Sequence, residues 1–155
     1  MGIVVPNGIL GNPADEYIRR WILKNAWVLA SIDLPIEAFI VEANVNILTS
    51  LLFLKKKTDE EIRAEALGEI EPYPVFMAVA EKVGVDRRGN TLYKRNPNGE
   101  EIIKVVGQRT VRQVVSGRLV SKQIPIYSKE VDDDLPVIAQ KYKEFRERYP
   151  EPPAQ

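Results

Sequence analysis

The chain contains neither histidine nor cysteine. That removes the common general base, the common metal ligand, thiolate nucleophiles, Cys-based zinc sites and disulfides. Chemistry is left to carboxylates, amides, aromatic rings, Lys and Arg. The first grouping of those types is Asn12-Pro13-Ala14-Asp15, which follows the apolar opening MGIVVPNGIL. A side-chain amide oxygen on a proline-stiffened backbone, with an aromatic ring beside it, can accept the hydrogens of a substrate amino group. Here Ala14 and Asp15 follow Pro13, so no aromatic ring stands beside the amide. The same residues fit a helix start completely. Asn12 is an N-cap, Pro13 suits the first helical position, and Asp15 and Glu16 favour the positive end of the helix dipole. Tyr17, Ile18, Trp21 and Ile22 then form an apolar stripe opposite Arg19, Arg20 and Lys24, and Glu16 and Arg20 stand at i,i+4. The tetrad is read as a helix start, so no catalytic residue and no metal ligand is assigned.

The second grouping is electrostatic. The chain as a whole is neutral, with 22 basic and 22 acidic residues. Residues 82–122, however, hold ten basic residues against three acidic ones, a net +7. Acidic residues flank this segment, from Asp59 to Glu71 on one side and at Asp132, Asp133 and Asp134 on the other. Two readings stay open. One is a phosphate-facing surface, with Arg87, Arg88, Lys94 and Arg95 as its contacts; the other is a solvated face laced with ion pairs.

These groups need elements to hold them. At 155 residues, 45% apolar and 28% charged, the chain reads as one globular domain's worth with a real core. No apolar run is long enough for a membrane span, and the start lacks the basic region of a signal peptide, so the expected home is the cytoplasm. Residues 2–5 read as a short buried strand and Pro6-Asn7-Gly8 as a turn. After the helix that starts at Asn12, residues 27–34 form a strand ended by Pro35. A loop with Phe39 and Asn44 leads to a third strand at 47–54. Thr58-Asp59-Glu60-Glu61 starts a helix to about residue 67. Residues 75–83 read as a strand. Two turn signals, around Gly89 and Gly99, bracket a hairpin or small meander at 91–95. Residues 102–127 give a weak pattern of short strands. Asp134 caps a final helix whose face is Leu135, Ile138, Tyr142, Phe145 and Tyr149, and a Pro-rich tail follows from Pro150.

The wording of the chain is more specific than this outline. GIVVPNGIL, then Tyr17 to Ile22 as YIRRWI, then Leu34-Pro35, Phe39 and TSLLFLKK at 49–56 stand in an order that resembles adenine-specific (N-6) DNA methyltransferases. The set is similar to the modification subunits of type I restriction-modification systems and their fused relatives. EKVGVDRRGNTLYKR and DDDLPVIAQKYKEF resemble further segments of the same family.

The resemblance implies an α/β fold: the C-terminal half of a Rossmann-like methyltransferase sheet, its fifth to seventh strands, with a small mixed α/β extension. It divides the chain into residues 1–70 of the catalytic domain, a β-rich basic extension at 71–130, a C-terminal helix at 131–149 and a tail at 150–155. In the family, the target base is flipped out of the duplex and its amino group attacks the methyl of S-adenosylmethionine. The Gly-rich cofactor turn and the Asn-Pro-Pro-aromatic tetrapeptide are both missing from this sequence. The expectation is therefore a fragment that is inactive alone and binds no S-adenosylmethionine alone. It supplies part of the target-adenine pocket through Asn7, Phe39, Asn46 and Phe53. Expected partners are DNA, a separately encoded N-terminal methyltransferase half or a specificity subunit, and no membrane. An apolar open edge at residues 3–5 also implies self-association. The alternatives are a non-enzymatic DNA-binding or assembly module and a decayed gene remnant.

Overall fold

The computed structural model describes residues 1–43 and 45–152; Asn44 of the expected loop and the last three residues of the tail lie outside the described residues. The chain runs β1 (Gly2–Pro6), α1 (Asn7–Gly11), a 3-10 turn (Pro13–Asp15), α2 (Glu16–Asn25), β2 (Ala26–Leu34) and α3 (Glu37–Ala43). It continues through β3 (Thr49–Lys56), α4 (Asp59–Ala66), β4 (Phe76–Val79), β5 (Ile103–Val115), β6 (Arg118–Lys129) and α5 (Leu135–Arg148). The fold is mixed α/β. One sheet has four strands in the order β1-β3-β2-β4, and a second consists of β5 and β6 alone. Strand β3 is antiparallel to both β1 and β2, while β2 and β4 are parallel. Hence β1, β2 and β4 all point one way, with β3 reversed between the first two.

Alternation along β3 sorts the core into two layers, because successive side chains of a strand face opposite sides. Leu52 and Leu54 join Val5 against Ile9, Leu10 and Ile22 of α1 and α2. Leu51 belongs to the other side, where Ala30, Ile32, Leu34 and Ala80 pack with Phe39, Phe76, Ile138 and Tyr142. A register shift between Val28 and Ala30 lets the adjacent Leu29 and Ala30 both be buried. Beside it, Trp27 is fully buried, in edge contact with the Tyr73 ring and beneath the Lys57 ammonium at 4.5 Å from the ring centroid.

Several local expectations are corrected. Pro6-Asn7-Gly8 is not a simple turn: Asn7 opens the short helix α1. Asn12 does precede a helical start with Pro13 at its first position, but its side chain makes no capping bond. Its carbonyl instead accepts from Asp15 N at 3.1 Å and from Arg19 Nη1 at 2.7 Å. The loop after Pro35 is largely the helix α3, opened by amide donations from Ala38 to Pro35 O and from Ile40 to Ile36 O. Its Glu and Ala content favours that outcome. The Thr58–Glu61 pair forms a reciprocal capping box. Asp134 does not cap α5 with its side chain. Asp133 Oδ1 accepts from Leu135 N at 2.9 Å, and Asp134 Oδ2 accepts from the backbone of Glu81 and Lys82, each at 2.9 Å.

The weak stretch at 102–127 is the largest correction. It is a long ribbon of twelve paired positions, from Ile103 opposite Lys129 to Val115 opposite Arg118. Its tip is Ser116-Gly117, both at positive φ (51° and 78°), the conformation of a two-residue hairpin turn matched to strand twist. A side chain at Gly117 would be strained there, so glycine fixes the turn and thereby the register.

Candidate functional site

In open α/β sheets, ligands bind beyond the carboxyl ends of the parallel strands. Here that edge is where β1 and β2 end and β3 begins, since Thr49 stands opposite both Pro6 and Leu34. Three polar side chains meet on one side of it. Ser50 is completely buried, and its Oγ lies 2.5 Å from Asp33 Oδ1 and 2.7 Å from the side-chain amide of Asn7. A hydroxyl has one proton to give. Both atoms that face it, Asp33 Oδ1 and Asn7 Oδ1, are acceptors, so the hydroxyl donates to one of them at a time. Next to Ser50, Thr49 Oγ1 is buried with no hydrogen-bond partner among the described residues. The Asn7 backbone is pinned as well, its amide donating to Leu48 O at 3.0 Å.

Of the four residues expected to line a base pocket, the structure places Asn7 in this network. Asn46 is exposed, three residues ahead of β3. Phe39 is half-buried on α3 and packs on the layer formed by Ala30, Ile32 and Leu34. Phe53 stands opposite Gly2, at the far end of β1 from Asn7, and stacks on Tyr142 with ring centroids 6.1 Å apart. The structure therefore does not bring Phe53 together with Asn7. Asp33 and Ser50 were not singled out from the sequence. Ser50 was in view only as part of the TSLLFLKK string, and an isolated Asp in an apolar strand was the available signal for its partner.

The four basic residues expected to face phosphate lie on the segment between β4 and β5. Arg87 Nε is 3.0 Å from Glu37 Oε1, at the start of α3. The Glu37 carboxyl is held below the ordinary glutamate range, first by its own backbone N–H and then by the Arg87 guanidinium. Lys94 donates to Glu130 Oε1 at 2.8 Å, and Arg95 reaches Gly99 O at 3.1 Å and Glu101 at 3.9 Å. Arg88 is exposed and has no ion pair among the described residues. A groove of about 410 Å³ runs between Glu37, Lys82, Asp86, Arg87 and Arg88. Three of the four cations are thus engaged within the chain.

No glycine-rich turn of the kind that holds S-adenosylmethionine joins a strand to a helix among the described residues. The glycines at positive φ are Gly68, Gly84, Gly89, Gly99 and Gly117, and none joins a parallel strand to a helix. Of the two such junctions, β1 to α1 carries Gly8 and β2 to α3 carries no glycine.

The sequence gives the family of this mixed α/β chain. The chain matches the model of N-6 DNA methylases over residues 1–154 and belongs to that family. Enzymes of the family generally use S-adenosylmethionine as methyl donor. No curated protein matches the sequence. Among the described residues, no helix is long and apolar enough to cross a membrane.

Proposed function

We propose that this chain provides the target-adenine side of an S-adenosylmethionine-dependent, adenine-specific DNA methyltransferase of a restriction-modification system, similar to a type I modification subunit. The observation that carries the reading is the strand order β1-β3-β2, with an antiparallel β3 between two parallel strands. It is the order expected of the fifth, seventh and sixth strands of such a sheet. That order brings Asn7, Ser50 and Asp33 to the carboxyl edge. In this reading Asn7 helps form one wall of the base pocket, and the Ser50–Asp33 pair fixes its amide. Cofactor binding and the Asn-Pro-Pro-aromatic chemistry come from another segment or chain, because this sequence contains neither motif. Free β1, whose Ile3 and Val4 are exposed, is the natural place for that partner to add a strand.

The test is reconstitution. The chain is co-expressed with a polypeptide carrying the Gly-rich turn and the tetrapeptide of a family member. Transfer of labelled methyl from S-adenosylmethionine to duplex DNA is then measured. Methyl transfer is expected only when both are present, and Asn7→Ala should lower it. Transfer by the chain alone, or by the partner regardless of this chain, overturns the proposal.

A further inference from the structure

Among the described residues, the ribbon β5–β6 pairs with no third strand. Twelve antiparallel pairs at about 3.4 Å per residue make it roughly 40 Å long. Between Ile103 and Lys129 it contains six cations and no acidic residue. Lys104 and Lys129, at its base, are paired with Glu130 and Glu101 at 2.5 and 2.6 Å. Arg109, Arg112, Arg118 and Lys122, along its length and near its tip, are exposed and have no ion pair among the described residues. Strand alternation puts Arg109, Arg118 and Lys122 on one face and Arg112 on the other.

The root of the ribbon is tied to the carboxyl edge of the main sheet. Ala80 N donates to Asp33 O, and Asp134 Oδ2 receives the next two amides, of Glu81 and Lys82. Asp132 N bonds Leu92 O, Lys94 N bonds Glu130 O, and Glu130 N bonds Ile102 O at the first residue before the ribbon. The unpaired cations therefore stand on an arm whose base is linked to Asp33 through this relay of backbone bonds.

We infer that this ribbon is an arm that grips duplex DNA, with Arg109, Arg112, Arg118 and Lys122 on the phosphates. The identity of the polymer rests on the reading of the chain as part of a DNA methyltransferase; the arm itself rests on charge and shape. A two-stranded ribbon fits the major groove of B-DNA, about 12 Å wide, and roughly 40 Å is close to one helical turn of about 34–36 Å. The valine and leucine side chains between the cations can meet thymine methyls in that groove. A protein partner fits less well, because interface cores are depleted of charged residues and desolvating four unpaired cations is costly.

The test measures binding of the full chain to a fluorescein-labelled duplex of about 30 base pairs, roughly three turns, by anisotropy across a salt series. The variant combines Arg109→Gln, Arg112→Gln, Arg118→Gln and Lys122→Gln. A control removes equal charge elsewhere through Arg20→Gln, Lys24→Gln, Lys56→Gln and Arg63→Gln. Each lost phosphate contact lowers the log–log salt slope by about 0.9, so the arm variant should lose up to about 3.6 of slope. Between about 50 and 200 mM salt, the wild type should weaken roughly 10²-fold more than the arm variant. The control should bind like wild type.

Unchanged binding by the arm variant overturns the arm and leaves the methyltransferase reading standing, since reconstituted methyl transfer judges that reading separately. Failure of the wild type to bind duplex at low salt, or preference for single-stranded RNA, also overturns the arm. So does a Val114→Lys, Leu119→Lys variant that abolishes self-association in light scattering while the charge variant binds DNA normally, which marks the ribbon as a protein-docking surface.

Discussion

Thr49 and Ser50 are adjacent, both buried, and should respond oppositely to loss of their hydroxyls. Ser50 Oγ lies between Asp33 and Asn7 at 2.5 and 2.7 Å. Ser50→Ala leaves a half-buried carboxylate and an amide without their shared partner. A hydrogen bond to a charged group is worth about 1.5–3 kcal/mol, so the loss should be about 2 kcal/mol. For a chain of this size that is roughly 4–8 °C in Tm. Thr49 Oγ1 has no partner to lose among the described residues. Thr49→Val removes a buried, unpaired hydroxyl at nearly constant volume and should be neutral or stabilising by up to about 1 kcal/mol. Urea denaturation at fixed pH reads both. A cycle of Ser50→Ala with Asp33→Asn should show coupling of at least about 1 kcal/mol. If Ser50→Ala costs no more than Thr49→Val gains, or the cycle is additive, the network does not hold the carboxyl edge and the argument for Asn7 fails with it.

Three further outcomes follow from named contacts. Lys57, its side chain 1% exposed, donates at 2.6 Å to both Leu23 O and Glu65 Oε2; Lys57→Met should cost about 2 kcal/mol in denaturant unfolding, more than a surface pair would. Glu130 is held below the ordinary glutamate range by Lys104 and then Lys94. Its contribution is therefore present above the ordinary range and disappears as pH falls through the depressed value. Glu130→Gln should flatten that acid-side slope, and a slope unchanged from wild type removes the cluster as its cause. Val4, exposed on the free edge of β1, should govern association. Light scattering is expected to show wild-type oligomers and a Val4→Lys monomer; a wild type that is monomeric at every concentration counts against an active edge.

What the sequence disclosed depended on how local each signal was. The Thr58–Glu61 capping box is written in four consecutive residues, and it formed as read. The strands around Ile32 and Leu52 were legible because residues apolar on both faces have one place to go, a sheet covered on two sides. Helix α3 was hidden by Pro35, which ends β2 and was taken to introduce a loop, although Glu37, Ala38 and Ala43 are good helix formers. The ribbon was hidden by its own monotony: Val, Arg, Gln and Ser alternate weakly, both faces are exposed, and neither face is marked apolar. Ser116-Gly117 was the turn signal that would have found it. The Ser50–Asp33 contact could not be read at all, because its partners are seventeen residues apart and only the antiparallel register aligns them.

Charge counting needed the structure most. The net +7 of residues 82–122 is a sum over two populations with different fates. Arg87 and Lys94 are matched to Glu37 and Glu130, acids outside that segment, and Arg95 leans towards Glu101. Such pairs join the extension to α3 and to the root of the ribbon, so their charge is spent on holding pieces together. Beyond that root the acids stop, and from Arg109 to Lys122 every cation is exposed and unmatched among the described residues. A long-range field comes from charge that is not cancelled nearby. Backbone bonds lead from Asp33 through Ala80 and Asp134 to Glu130, so the base of the ribbon is tied back to the main sheet while its uncancelled charge lies further out.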